Sequence, residues 1–124
     1  MEKISYEQIL EFLENNQNFE LTQKLGQLHP GDIAEIINDL PSEYRLRIFR
    51  LLDHETASDV LPDLYDDIRE EILGNIHENR LVKIIDEMET DEATDIISEL
   101  DDKRSEQVLK KIDKEDSQEI KQLL

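Results

Sequence analysis

The residues in this chain best suited to chemistry are paired carboxylates on one short predicted helix. Asp91 and Asp95 are four positions apart, which places them one turn apart on a helix over Met88–Leu100. The apolar residues of this stretch fall on the opposite side of the helix; they are Ala93, Ile96, Ile97 and Leu100. Two like charges at this spacing repel each other by about 0.2–0.5 kcal/mol. A cation or a basic partner would relieve that repulsion; the alternative is a solvated helix face with no further role.

An acid recurs at the same position of a repeated pattern. The segments DIAEIINDL, TASDVLPDL and EATDIISEL begin at residues 32, 56 and 92, and each has an acid at its fourth position. A partial copy near the end of the chain adds another, and the four residues, called here the acidic ladder, are Glu35, Asp59, Asp95 and Glu119. Carboxylate oxygens are suitable ligands for Mg²⁺ or Ca²⁺. Because one helix supplies too few ligands, such a site would need water or another surface to complete it.

Signatures of catalysis fail when they are checked residue by residue. His54-Glu55 and His77-Glu78 begin like the zinc-protease motif HExxH, but Ser58 and Leu81 stand where the second histidine is required. With only three glycines, the chain has no glycine-rich phosphate loop. Carboxylates that act as general acids or bases need a desolvated pocket, and these lie on polar faces. We therefore predict no enzyme, no catalytic residue and no organic cofactor.

The charge balance limits the possible partners. The chain has 32 acidic and 14 basic residues and a net charge of −18. Such a surface repels phosphate backbones, so nucleic acid is not a predicted partner. The absence of cysteine fits a reducing compartment. No apolar run approaches the roughly 20 residues of a membrane span, and the first residues lack the pattern of a signal peptide. We expect a soluble, cytoplasmic domain.

Apolar residues at helical spacing along the whole chain predict an all-α fold. The repeated unit is a helix plus a turn of about 12 residues. Because such units cannot bury their apolar stripes alone, they must stack into a superhelix. The prediction is an armadillo-like α-solenoid of about ten short helices. Pro62 lies inside its helical pattern and should kink or tighten that helix.

The two ends of the chain are less regular. A first helix is predicted from Ile4, Ile9, Leu10 and Leu13, and a second from Phe19, Leu21, Leu25 and Leu28. The last partial copy has an apolar stripe with no helix after it; its residues are Ile120, Leu123 and Leu124. Terminal repeats usually present a polar outer face. We therefore expect the natural chain to continue beyond residue 124.

Two longer runs resemble the cytosolic N-terminal domain of the MgtE family of magnesium transporters. These are LHPGDIAEIINDLPSEYRLRIFRLLDHETASDVLPDL and RLVKIIDEMETDEATDIISEL, and the resemblance covers roughly Leu28–Leu124. It implies a right-handed superhelix of short helices, followed in those transporters by paired CBS domains and a transmembrane pore domain. The expected organisation is one domain over 1–124, with variable helices in 1–28 and helical repeats in 29–124; the other domains would lie downstream.

The resemblance also implies a ligand and a role. The family's acidic Mg²⁺ ligands match Asp59, Asp91 and Asp95 in this chain. Mg²⁺ bound between this domain and the CBS domains of the same polypeptide would hold the pore closed when cytosolic Mg²⁺ is high. We expect binding by the isolated domain to be weak, and the full-length protein to be a membrane-embedded homodimer with this domain on the cytoplasmic side.

A metal-independent interpretation stays open at this point. Short stacked helices also resemble the helical-repeat domains of the flagellar switch protein FliG, and solenoids commonly bind other proteins. In that case the acidic residues serve solvation or contact a basic partner. Mg²⁺ and Na⁺ would then have the same effect at equal ionic strength, whereas a specific site would show an additional effect of Mg²⁺.

Overall fold

A computed structural model describes residues 5–112 and 114–124, with the side chains of all of these except residues 114–116. Over those residues the chain forms ten short α-helices and one 3₁₀ turn, and no strand. The helices are α1 Tyr6–Glu14, α2 Asn18–Leu25, α3 Pro30–Asp39, α4 Ser42–Arg50, α5 His54–Val60, α6 Asp66–Leu73, α7 Glu78–Asp86, α8 Thr90–Ser98, α9 Asp102–Lys111 and α10 Lys114–Leu123; the 3₁₀ turn, Leu61–Asp63, follows α5. The predicted all-α fold is confirmed.

The helices stack in two alternating rows. In one row α3 packs against α5, α5 against α7, and α7 against α9. In the other row α4 packs against α6, and α8 packs against α10. Since helices two apart along the chain pack together in these five pairs, the repeating structural unit is a helical pair, and the pairs build a superhelical stack.

The apolar stripes read from the sequence form the core. The second residues of the three repeat copies, Ile33, Ala57 and Ala93, are all buried. The paired apolar residues of the intervening helices are also mostly buried, including Ile48 with Phe49 and Ile72 with Leu73. The helical repeats predicted from spacing are therefore the units that pack.

The prediction that Phe19 belongs to the apolar stripe of the second helix was wrong. Phe19 is 71% exposed, whereas Leu21 and Leu25 of the same helix are buried. Leu21 and Leu25 are four apart and share a face, but Phe19 precedes Leu21 by two positions, about 200° around the helix. It therefore points away from the core. Ile4, which was placed in the first helix, lies outside the described residues.

Proline and aspartate set the helix boundaries as the sequence predicts. Pro62 ends α5 by tightening it into the 3₁₀ turn Leu61–Asp63. The side chain of Asp53 caps α5 by accepting a hydrogen bond from the Thr56 N–H at 2.7 Å, and Asp101 caps α9 in the same way. The hydrogen bonds from Thr56 hold the pKa of Asp53 below its ordinary value.

Arginines from distant helices satisfy the free carbonyls at helix C-termini. Arg47 of α4 donates to the Leu13 carbonyl at the end of α1, at 2.8 Å. Arg80 of α7 donates to the carbonyls of Phe49 and Leu52 at the end of α4, at 3.1 and 2.7 Å. Arg104 of α9 donates to the carbonyl of Leu73, the last residue of α6, and to that of Ile76. Each of these capping arginines (Arg47, Arg80 and Arg104) belongs to the helix three positions further along, so the caps connect successive layers of the stack.

Arg80 combines its bonds to the carbonyls of Phe49 and Leu52 with a contact to an aromatic ring. Its guanidinium also lies 5.8 Å from the centre of the Phe49 ring, and burial lowers its pKa without removing its charge. Replacing Arg80 by Met should lower the free energy of unfolding by about 2–3 kcal/mol, because charged hydrogen bonds to buried carbonyls are lost. Urea denaturation measures this change. Lys83→Met, an exposed position on the same helix, should change stability little; equal losses in the two variants would contradict the capping role.

Candidate functional site

The three predicted metal ligands are exposed side chains on well-anchored helices. Asp59 lies on α5, and Asp91 and Asp95 lie one turn apart on α8. All three side chains are exposed, whereas their neighbours Val60 and Ile96 are buried in the core. The backbone positions of these carboxylates are therefore set by core packing, while their oxygens face solvent.

Glu92 lies where the acids of the two helices meet. Partial burial raises its pKa above the ordinary value of 4.5, and the negative charges of Asp91, Asp59, Glu89 and Asp63 raise it further. Pro62, which lies in the 3₁₀ turn between Asp59 and Asp63, lines the same concavity as Glu92 and Asp95 of α8. The fold therefore brings Asp59 and Asp63 close to the first turn of α8. We define the acidic face as Asp59, Asp63, Asp91, Glu92 and Asp95.

A shallow concavity of about 310 Å³ adjoins the acidic face. Glu92 and Asp95 of α8, together with Glu99 directly after it, contribute carboxylates to its wall, and Pro62 and Ile96 contribute apolar surface. The remaining lining residues are Arg69 and Ser98. Three of the seven lining residues are acidic and one is basic, so the net charge of the wall is negative and the concavity attracts cations.

Arg69 is the basic residue in the wall of this concavity, and hydrogen bonds to two carboxylates and a backbone carbonyl hold its guanidinium in place. Its guanidinium donates to both carboxylate oxygens of Glu99, at 2.8 Å each, and to Asp66 at 2.6 Å. It also donates to the Leu64 carbonyl at 2.7 Å. The hydrogen bonds to Glu99 are the main reason that the pKa of Arg69 is raised. Its charge is thus directed at Glu99 and Asp66.

The acidic face does not form a closed metal site by itself. Among the residues that the structure describes, no three acids or histidines converge on one point that could hold a metal ion. Mg²⁺ keeps several of its waters and is usually bound through one or two carboxylates. The exposed carboxylates fit this mode of binding, in which water or a facing surface supplies the other ligands.

The other acidic residues of the ladder have different surroundings. Glu35 of α3 is exposed and is not among the acids that raise the pKa of Glu92. Glu119 of α10 accepts a hydrogen bond from the Thr90 hydroxyl at 3.0 Å, beside the first turn of α8. The equivalent positions of the repeat therefore do not all belong to one site.

Sequence reasoning missed Asp63 and Glu92 as members of the face. Asp63 is the eighth residue of its repeat copy, a position that is acidic in all three copies, but no role was assigned to it. Glu92 is the first residue of the third copy. Only the packing of α8 near the 3₁₀ turn places these two residues with Asp59 and Asp91.

The three histidines lie at helix boundaries, as the pattern indicated. His29 and His77 are the N-terminal caps of α3 and α7, and His54 is the first residue of α5. None of them belongs to a group of three possible metal ligands within the described part of the chain.

The fold and the acidic face define an all-α, superhelical domain with a cation-attracting surface. The chain belongs to the family described as the MgtE intracellular N domain, whose model matches residues 28–124. This confirms the resemblance stated from the sequence. It is a family of magnesium-transporter domains and not an enzyme family.

A solved structure supports the same fold. The chain is similar to the "Crystal structure of the soluble part of a magnesium transporter", with a TM-score of 0.79 and 24% identity. The similarity covers 96% of this chain and 47% of that one, so the chain spans about half the length of the related structure. No match was found among curated proteins. Within the described residues, none of the helices has the length and apolar character needed to span a bilayer.

The repulsion between carboxylates on the acidic face should make the stability of the domain depend on pH. Because the folded-state pKa of Glu92 is raised, the folded state holds this proton more strongly, and stability falls as pH rises through that pKa. Glu92→Gln removes this loss. As pH rises from about 4 to 7, the variant should gain stability relative to the unchanged chain. Because Glu92 is mostly exposed and solvent screens its charge, the gain should be small, about 0.2–0.3 kcal/mol.

The matched control for this variant is Glu20→Gln. Glu20 occupies the same third position, in the first turn of α2, so it has the same interaction with its helix dipole. Urea denaturation at several pH values compares the two variants. A pH-dependent gain of the same size in Glu20→Gln would show that the acidic face contributes nothing.

Proposed function

We propose that this domain senses Mg²⁺ for a magnesium transporter through the acidic face. The observation that carries the proposal is geometric: Pro62 of the 3₁₀ turn that follows α5 lines the same concavity as the acids Glu92, Asp95 and Glu99. Mutual repulsion of carboxylates at this place agrees with the direction in which the pKa of Glu92 is raised. A divalent cation at this place removes the repulsion between several acids at once. Membership of the MgtE intracellular N domain family supports Mg²⁺ as that cation.

Asp59, Asp91 and Asp95 are the proposed metal ligands, and Glu92 and Asp63 add negative charge around them. Binding by this domain alone is weak, because its exposed carboxylates leave most of the ion's hydration shell in place. Tighter binding requires a second surface whose acids face Asp59, Asp91 and Asp95. In the full-length transporter that surface is provided by the CBS domains of the same polypeptide.

The mechanism is an electrostatic balance between a free and a docked domain. At low Mg²⁺ the acidic face repels an acidic partner surface, and the domain is free. At high Mg²⁺ the ions bridge the two surfaces, the docked state is favoured, and the pore closes. Shifting such a balance from 1:99 to 99:1 takes about 5.5 kcal/mol, which several weak ions supply jointly. The domain works on the cytoplasmic side of the membrane, within a homodimeric transporter.

An NMR titration of this chain with MgCl₂, compared with NaCl at equal ionic strength, tests the proposal. Saturable amide shifts should be confined to α8 and to the region of Asp59 and Asp63, in MgCl₂ alone. The triple variant Asp59→Asn, Asp91→Asn, Asp95→Asn should lose the saturable response, because the charges that attract the ion are removed.

The control removes the same charge from another helix. Glu7, Glu11 and Glu14 are exposed acids of α1, and Glu7 and Glu11 repeat the four-residue spacing of Asp91 and Asp95. The triple variant with glutamine at these positions should keep the response. Shifts that depend on ionic strength alone would instead favour the metal-independent adaptor.

A further inference from the structure

We propose that the ion pair between Arg69 and Glu99 positions the two halves of the acidic face relative to each other. Neither residue is proposed as an Mg²⁺ ligand; each acts through the helices that it holds. The inference rests on the proposed function, since it names what sets the geometry of that surface.

Arg69 joins the segments that carry the acids. Its Nη1 donates to the Leu64 carbonyl, which directly follows the 3₁₀ turn with Asp63, and that turn continues from α5 with Asp59. Its Nε and Nη2 donate to the two carboxylate oxygens of Glu99, the residue that caps the C-terminal end of α8. A single guanidinium therefore fixes the end of α8 to the end of the 3₁₀ turn.

This connection is rigid compared with a surface ion pair. The Arg69 side chain is only 10% exposed, and its two parallel hydrogen bonds to Glu99 fix orientation as well as distance. Asp95 lies one helical turn before Glu99, and both line the concavity together with Arg69. A shift of α8 would therefore move Asp91, Glu92 and Asp95 away from Asp59 and Asp63 together.

The preceding repeat contains an equivalent arginine, which also bonds to a backbone carbonyl and a glutamate but lies away from the acidic face. Arg45 donates to the Leu40 carbonyl at 2.9 Å and to Glu71 at 3.1 Å. Leu40 and Leu64 are both the ninth residue of a repeat copy, and each arginine follows its leucine by five positions. The Arg45–Glu71 pair is a matched control for the stability that such a pair provides.

The test compares two double variants of this chain, Arg69→Gln with Glu99→Gln and Arg45→Gln with Glu71→Gln. Each removes one positive and one negative charge, so the net charge of −18 is unchanged. The readouts are the Mg²⁺ dissociation constant, from the NMR titration at matched ionic strength, and the melting temperature without Mg²⁺. Arg69→Lys and Arg45→Lys, which keep the charge and lose the planar fork, give the same comparison if a double variant does not fold.

We expect both double variants to lose stability but only one of them to lose affinity for Mg²⁺. Both double variants should melt at lower temperature, but only the Arg69/Glu99 variant should bind Mg²⁺ about three- to tenfold more weakly, since a ligand displaced from its place loses much of its interaction. Equal affinities in the two variants would overturn the positioning role while leaving the proposed function intact. If the unchanged chain gave no saturable response to Mg²⁺, the proposed function would fail and this inference with it.

Discussion

The constraint on which this structure depends is the number of backbone carbonyls left free by short helices. The last four carbonyls of any α-helix lack partners within the helix, and these helices have only seven to ten residues. Arginines reaching from later helices donate to carbonyls in the last turn of a helix or just after it, at Leu13, Phe49, Leu52 and Ile76 among others. Since each such bond joins helices that are distant in sequence, the same interaction also fixes how the layers stack.

This use of arginine leaves the surface strongly acidic. Arg45, Arg47, Arg69, Arg80 and Arg104 all donate to backbone carbonyls at helix ends. Basic side chains held in this way are directed into the stack. Arg45 and Arg69 also pair with Glu71, Glu99 and Asp66, but within the described residues no ion pair joins them to Asp59, Asp91 or Asp95. The proposed role of the bound cation is to relieve the repulsion between these acids, which the packed helices hold in place.

The acidic face shows how structure and binding are connected in this domain. Its residues come from α5, the 3₁₀ turn and α8, which are held together by buried side chains and by Arg69. The ions proposed to bind there neutralise charge without needing a closed cage, which fits a sensor that releases its ligand readily. In the proposed mechanism, several weak sites act together to shift the balance between the free and the docked domain, and a partner surface completes them.

The sequence by itself determined the helices, the repeated unit, the core stripes and the 3₁₀ turn at Pro62, because these depend on spacing within ten or so neighbouring residues. It also placed Asp59, Asp91 and Asp95 on exposed faces. Tertiary structure alone decided that Asp63 and Glu92 join the acidic face and that Arg69 pairs with Glu99. Those contacts join positions about 30 residues apart, and only the stacking of the helices sets which side chains meet.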